Sequence, residues 1–185
     1  GQFKAIKYGV GSWSSGGNLN LARGSGATSQ QGTISASIIA GGTDSTASSI
    51  YANTESYNGT NWIEVNDLNV ARRGIVGTGT QTAALGAGGS ANNPGVTNTE
   101  LYDGSTWTEV NDINTSRQAL SGFGTQTAAI VATGGNPPGP IQAGSTLTES
   151  WNGTSWTEVG DLNALKASGA SAGSVNTSGL IFGGD

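Results

Sequence analysis

The chain has 185 residues, one domain's worth, with 10% charged side chains, 32 glycines and a formal net charge of −5. It has no His, Cys or Met, which excludes imidazole, thiolate and thioether metal sites, nucleophile–His pairs and any disulfide framework. Seven basic residues, with Arg72 and Arg73 the only adjacent pair, argue against a surface that tracks nucleic-acid phosphates, and no apolar run approaches the length of a membrane span.

Hydrophobic residues make up 34% of the chain, so its five Trp, four Tyr and three Phe must supply much of the packing. Taken in chain order, the sequence opens with two predicted strands around FKAIKY and GSWSS, which carry Tyr8 and Trp13. A polar stretch with Arg23 leads to the apolar run SASIIA and the glycine pair at Gly41. The loop TDSTASSIYANT follows, and then TESYNGTNWIEVND, residues 54 to 67. Next come a polar turn NDLNVAR, a small-residue run GIVGTGT, and an apolar run QTAALGA ending at Gly88. The same succession then recurs as SANNPGVTNT, TELYDGSTWTEVND, TQTAAIVAT and Gly134, and again as NPPGPIQAGSTLT and TESWNGTSWTEVGD. The chain closes on KASGASAGS and SGLIFGGD, with its glycine pair at Gly183.

Two markers keep step through this succession. Trp13, Trp62, Trp107 and Trp156 recur at intervals of 49, 45 and 49 residues, and the glycine pairs at Gly41, Gly88, Gly134 and Gly183 trail them by 28, 26, 27 and 27. Five residues before each tryptophan lies an aromatic: Tyr8, Tyr57, Tyr102 and Trp151. Ten after each lies a cation: Arg23, Arg72, Arg117 and Lys166. Glu55, Glu100 and Glu149, then Glu64, Glu109 and Glu158, then Asp67, Asp112 and Asp161 form three acidic columns. The short Gly- and Thr-rich runs carry no 3.6-residue apolar stripe, so each unit reads as four short strands. Asn58-Gly59, Asp103-Gly104 and Asn152-Gly153 predict hairpin turns of the I′ type, with positive φ at both central residues.

A glycine pair after an apolar strand, then an aromatic and a tryptophan, at a period near 50, resembles the Kelch repeat. The likeness covers residues 4 to 185, and it implies an all-β fold: a β-propeller of four-stranded antiparallel blades, four repeats in one domain. The phrases LNVAR, GTQTAAL and YDGSTWTEV are similar to Kelch-like structural and tail-associated proteins of marine bacteriophages. The two strands at each end sum to one whole unit, which predicts that the N-terminal hairpin completes the C-terminal blade and removes exposed edges. The alternatives are two chains pooling eight blades, or a filament built by exchange of end hairpins.

For the tryptophan column, packing between neighbouring blades competes with a sugar-stacking platform, and packing explains its recurrence. For the Arg and Glu columns, charge-assisted bonds tying loops to sheets compete with catalytic carboxylates. A single active site should break the repeat, and no acidic cluster does. Asn58, Asn114, Asn152 and Asn176 lie in Asn-x-Ser/Thr sequons and are candidate glycan acceptors. The loops after the glycine pairs vary while their scaffold does not, making Asp44, Tyr51, Asn92, Asn93, Ile141 and Gln142 candidates for recognition. The expectation is a non-enzymatic structural or recognition module of a virion, tail fibre or extracellular fibre, without metal or cofactor, binding a surface glycan or a protein. A carbohydrate-active enzyme using carboxylates, and an intracellular partner-binding propeller, are the competing readings.

Overall fold

The computed structural model describes residues 16–91, 95–135 and 144–184. Their regular structure is all strand, with no helix among the described residues. Three four-stranded antiparallel meanders and one two-stranded sheet follow one another along the chain. The first sheet is β1 (Ala27–Thr28), β2 (Ser37–Thr43), β3 (Ile50–Tyr57) and β4 (Trp62–Val65). The second is β5 (Val76–Thr80), β6 (Ala83–Ala87), β7 (Thr99–Tyr102) and β8 (Trp107–Val110). The third is β9 (Ser121–Gly124), β10 (Ala129–Ala132), β11 (Thr148–Trp151) and β12 (Trp156–Glu158), and the last is β13 (Ala170–Val175) with β14 (Ser178–Phe182). Tyr8, Trp13, Asn92, Asn93, Ile141 and Gln142, like the N-terminal hairpin, lie outside the described residues.

The recurring string is the outer hairpin of each sheet, and its two aromatics face each other across it. Tyr57 pairs with Trp62, Tyr102 with Trp107 and Trp151 with Trp156, with ring centroids 5.1, 5.1 and 5.2 Å apart. The turn joining the arms differs from the I′ form expected. Asn58 N–H donates to the Asn61 carbonyl, which leaves Gly59 and Thr60 at the tip, and only Gly59 has positive φ, at 94°. Asn58 Oδ1 accepts the N–H groups of both Thr60 and Asn61, at 3.0 and 2.9 Å, so the asparagine braces the turn from its base. Asp103 and Asn152 repeat this arrangement with Gly104 and Gly153 at the tips, each at φ 94°. A glycine first at the tip is the feature of II′ hairpins.

The core lies between sheets, because each sheet is too small in apolar side chains to close on itself. Ala27, Ile38, Ala40 and Leu68 pack with Ile75, Ala84, Tyr102 and Trp107 from the second sheet and the segment leading into it. Val76, Leu85, Ala87 and Ile113 pack with Val131, Trp151 and Trp156 at the next joint. Trp107 and Trp156 are 6% and 7% exposed, and each donates Nε1–H to a threonine of the preceding sheet, Thr54 and Thr99, at 3.1 Å. The buried indole thus finds both apolar contact and its one acceptor in the neighbour. This inter-sheet role removes Trp107 and Trp156 as sugar platforms, whereas Trp62 is half-buried.

The glycine pairs shape the same joints. Gly41 has φ 66°, and a Cβ there would meet the Arg72 carbonyl at 2.6 Å, while the Gly42 N–H donates to that carbonyl at 2.9 Å. Gly89 likewise donates to Arg117 O and Gly134 to Lys166 O. Only a residue without a side chain lets the incoming segment approach the strand end so closely. The first strands of the sheets, β1, β5, β9 and β13, lie side by side around a cavity of about 210 Å³. Gln30 and Gln31 reach from the β1–β2 turn to Gly122, Gly124, Ser171 and Ser174, joining the first sheet to the third and fourth.

Candidate functional site

The repeated charges form clasps, one per joint. The segment between β4 and β5 presents Asn69 and Arg72 to Glu100 on β7. Asn69 donates its backbone N–H and its Nδ2 to Glu100 Oε2 at 2.7 and 2.8 Å, and Arg72 Nη2 donates to Oε1 at 2.9 Å. Arg72 also donates to the carbonyls of Gly88 and Asn98. Asn114 and Arg117 hold Glu149 in the same way, and Asn20 and Arg23 hold Glu55. The side chains of Arg23, Arg72 and Arg117 are each 0% exposed. Burial pushes the Arg72 and Arg117 guanidinium groups below their usual value, and the facing Glu100 and Glu149 carboxylates pull the other way. For Glu55, burial alone raises the pKa, but the N–H donors of Asn20 and Leu21 together with Arg23 outweigh it and hold the carboxyl below its ordinary value.

The remaining acids are occupied too. Glu64 and Glu109 accept from Asn53 and Asn98, Asp67 and Asp112 accept the N–H groups of Thr54 and Thr99, and Asp161 accepts from Thr146. Of the four sequon asparagines, Asn58 and Asn152 brace turns, Asn114 donates to Glu149 and to the Trp156 carbonyl, and Asn176 donates to Ser150 Oγ and the Trp151 carbonyl. Two columns absent from the reading of the sequence emerge here. Asn20, Asn69 and Asn114 complete the clasps; Gln81 and Gln126 donate to the Tyr57 and Tyr102 carbonyls of the sheet before. Their signal was present, because each recurs at a fixed offset from its tryptophan.

Where the units stop being alike is the end of the molecule at which the first strands begin. Two residues after each cation of the column, Ser25, Gly74, Ala119 and Ser168 all adopt left-handed backbone, with φ of 58°, 62°, 57° and 54°. Their peptides bond in series: Gly74 N–H to Ser25 O at 2.8 Å, Ala119 N–H to Gly74 O at 3.0 Å, and Ser168 N–H to Ala119 O at 3.1 Å. Three non-glycine residues held in this conformation cost on the order of 1–2 kcal/mol each, so the surrounding structure imposes it. These four residues line the floor of an open cavity of about 480 Å³ together with Thr43, Asp44, Ser45, Arg73 and Gln118. Four-unit backbone regularity therefore surrounds a set of side chains that belongs to no repeat column.

Asp44 stands on the rim of this mouth, as one of the sequence-derived loop candidates. Its carboxylate accepts Ser48 N–H at 2.9 Å, Ser48 Oγ–H at 2.8 Å and Thr46 Oγ1–H at 3.1 Å, which hold it well below the usual carboxylate range. Tyr51 lies apart, on β3, where its carbonyl accepts the Arg72 N–H and its ring does not line the mouth. Arg73 and Gln118 were not singled out by the sequence; their signal was a departure from the column, since the matching positions hold Gly24 and Ala167. Among the described residues no group of three His, Cys, Asp or Glu side chains is placed to hold a metal ion. No protein-family model matches the chain, and no curated protein matches it.

Proposed function

We propose that the four sheets are blades of a β-propeller, closed by residues 1–15, and that the protein is a non-enzymatic recognition module whose ligand enters the axial mouth. The observation that carries this reading is the mouth itself: a repeated frame supplies rigid walls, and unrepeated polar side chains project from it. Binding groups held on a scaffold of this kind are the usual placement for recognition. Closure is supported by the side-by-side first strands and by the last sheet, whose Leu180 and Phe182 are 69% and 52% exposed. The carboxylate-enzyme reading is weakened by occupancy, since ten of the eleven described acidic side chains accept a structural hydrogen bond. A virion or extracellular fibre is the setting that the Kelch-like phage resemblance implies.

A glycan array probed with the full chain, alongside proteomics of purified particles, tests this. The expected result is a restricted set of bound glycans without turnover, and the polypeptide present in particles. Hydrolysis of a bound glycan would replace the reading with the enzymatic one. For closure, the full chain should run as a monomer in light scattering, whereas deletion of residues 1–15 should bare β14 and drive association. An oligomeric full chain would favour the pooled or filamentous arrangement.

A further inference from the structure

The side chains of the mouth specify what it lacks. Position by position, the four approaches carry Gly24, Arg73, Gln118 and Ala167, so the polar pair sits on two neighbouring approaches. Gln118 is 7% exposed, yet its amide makes no hydrogen bond among the described residues. The sealed side-chain atoms without a partner among the described residues are Arg23 Nε, Arg72 Nε and Thr78 Oγ1, so the Gln118 amide opens on the cavity that it lines, free to donate there. Arg73 is half-buried beside it in the lining and has no carboxylate partner among the described residues, although Arg23, Arg72 and Arg117 each have one. Its backbone is pinned, with N–H and carbonyl both bonded to Ser90, so the guanidinium is presented from a fixed point. The series of left-handed peptides is also open at one place, for no bond joins Ser25 N–H to Ser168 O.

These donors call for an oxyanion. A guanidinium fork matches the two oxygens of a carboxylate, and the Gln118 amide and Ser25 N–H add donors. A bare anion would be repelled by Asp44 on the same lining, which stays ionised because Ser48 and Thr46 hold its charge. A ligand that carries hydroxyl groups opposite its carboxylate turns that repulsion into O–H donation to Asp44. The cavity of about 480 Å³ falls in the range of small-molecule sites and suits a single ring. We infer that the mouth binds a sugar acid, its carboxylate on Arg73 and Gln118 and its hydroxyls toward Asp44 and Ser45. This inference rests on the recognition reading and names its ligand class.

The test is calorimetric titration of the full chain with glucuronate, glucuronate methyl ester, glucose and a short oligogalacturonate. Glucuronate or the oligomer should bind at least about tenfold more tightly than the uncharged methyl ester and glucose, the scale of one charge-assisted bond. The oligomer arm separates a polysaccharide source from a free acid, since a chain-specific site binds it and leaves the monomer weak. Arg73→Gln should abolish the preference for acid over ester. The side chain has no hydrogen-bond or ion-pair partner among the described residues, so the melting temperature of the variant should match that of the parent; the ester comparison on the unaltered protein decides the matter if it does not. Equal binding of acid and ester, or no binding of either acid, overturns the inference. If neutral glycans bind the unaltered protein as tightly as the acids do, the acid assignment falls while the recognition reading stands.

Discussion

The joint between the second and third sheets and the sheet at the C-terminal end hold equivalent places in the repeat, yet they differ in burial. At the joint, Trp156, Glu149 and Arg117 are all but sealed, and β10 is buried along its whole length. In the last sheet the equivalent of β10 is β14, and four of its five residues are exposed. The cation of the column is here Lys166, half-buried and without a carboxylate partner among the described residues. The difference teaches that the repeat encodes half an interface. A tryptophan, a glutamate or an apolar strand becomes core only where the adjoining sheet supplies its threonine, its arginine or its apolar face.

Truncating the joint's indole is the strongest way to break that contrast. Trp156→Ala should cost about 3–5 kcal/mol in urea unfolding, as large core deletions do, whereas Leu165→Ala, at a side chain 61% exposed on the approach to the last sheet, should fall within about 0.5 kcal/mol. Equal costs would show that the indole is not sealed between the sheets. Glu100→Ala comes next. It leaves Arg72 buried at 0% exposure with its charge unpaired, for which the usual cost is about 3–5 kcal/mol. Replacing the pair together by Arg72→Met and Glu100→Met should recover much of that loss, because the penalty belongs to the stranded ion and not to the absence of the pair. A double variant as unstable as the single one would assign the stability to the carbonyl bonds of Arg72 instead.

Almost every described strand was legible, since strands in this chain are short runs of small, aliphatic and aromatic residues bounded by fixed punctuation. TELY is β7 and the WTEV of STWTEV is β8, and the glycine pairs stand where the sheets join. The hairpin turns were misread by one residue, because an Asn-Gly string suits two turn geometries and only the Asn58 side chain, accepting two N–H groups, selects between them. The clasp asparagines were hidden as ordinary turn polars. The mouth was the least legible part. Its floor needs left-handed backbone at Ser25, Ala119 and Ser168, residue types that carry no sequence signal for it, and its side chains come from five distant segments. Only Asp44 was anticipated there, from loop variability.

A moderate effect sharpens the turn correction. Gly104→Ala places a Cβ on backbone at φ 94°, 3.4 Å from Thr82, and should cost about 1–2 kcal/mol. Asp103→Ala should weaken the hairpin by less, through loss of the one carboxylate oxygen that accepts two N–H groups. An I′ turn would reverse that emphasis, since the residue before glycine would then need positive φ and alanine would be strained there.

The smallest effect concerns acid. Glu55 has its folded pKa depressed below the ordinary 4.5 by Asn20, Leu21 and Arg23. Its contribution is therefore complete above the unfolded value and is lost as pH falls through the folded one. Melting temperature followed from pH 7 downward should drop below the ordinary carboxyl range, and Glu55→Gln should flatten that part of the curve while lying below the parent at pH 7. Lys166→Ala supplies the opposing case at the other end of the column: with no described carboxylate to protonate, it should shift neither the acid limb nor stability by more than about 0.5 kcal/mol. If Lys166→Ala instead flattened the acid limb as Glu55→Gln does, the last cation would have a buried acidic partner of its own, and the two ends of the repeat would be alike in chemistry after all.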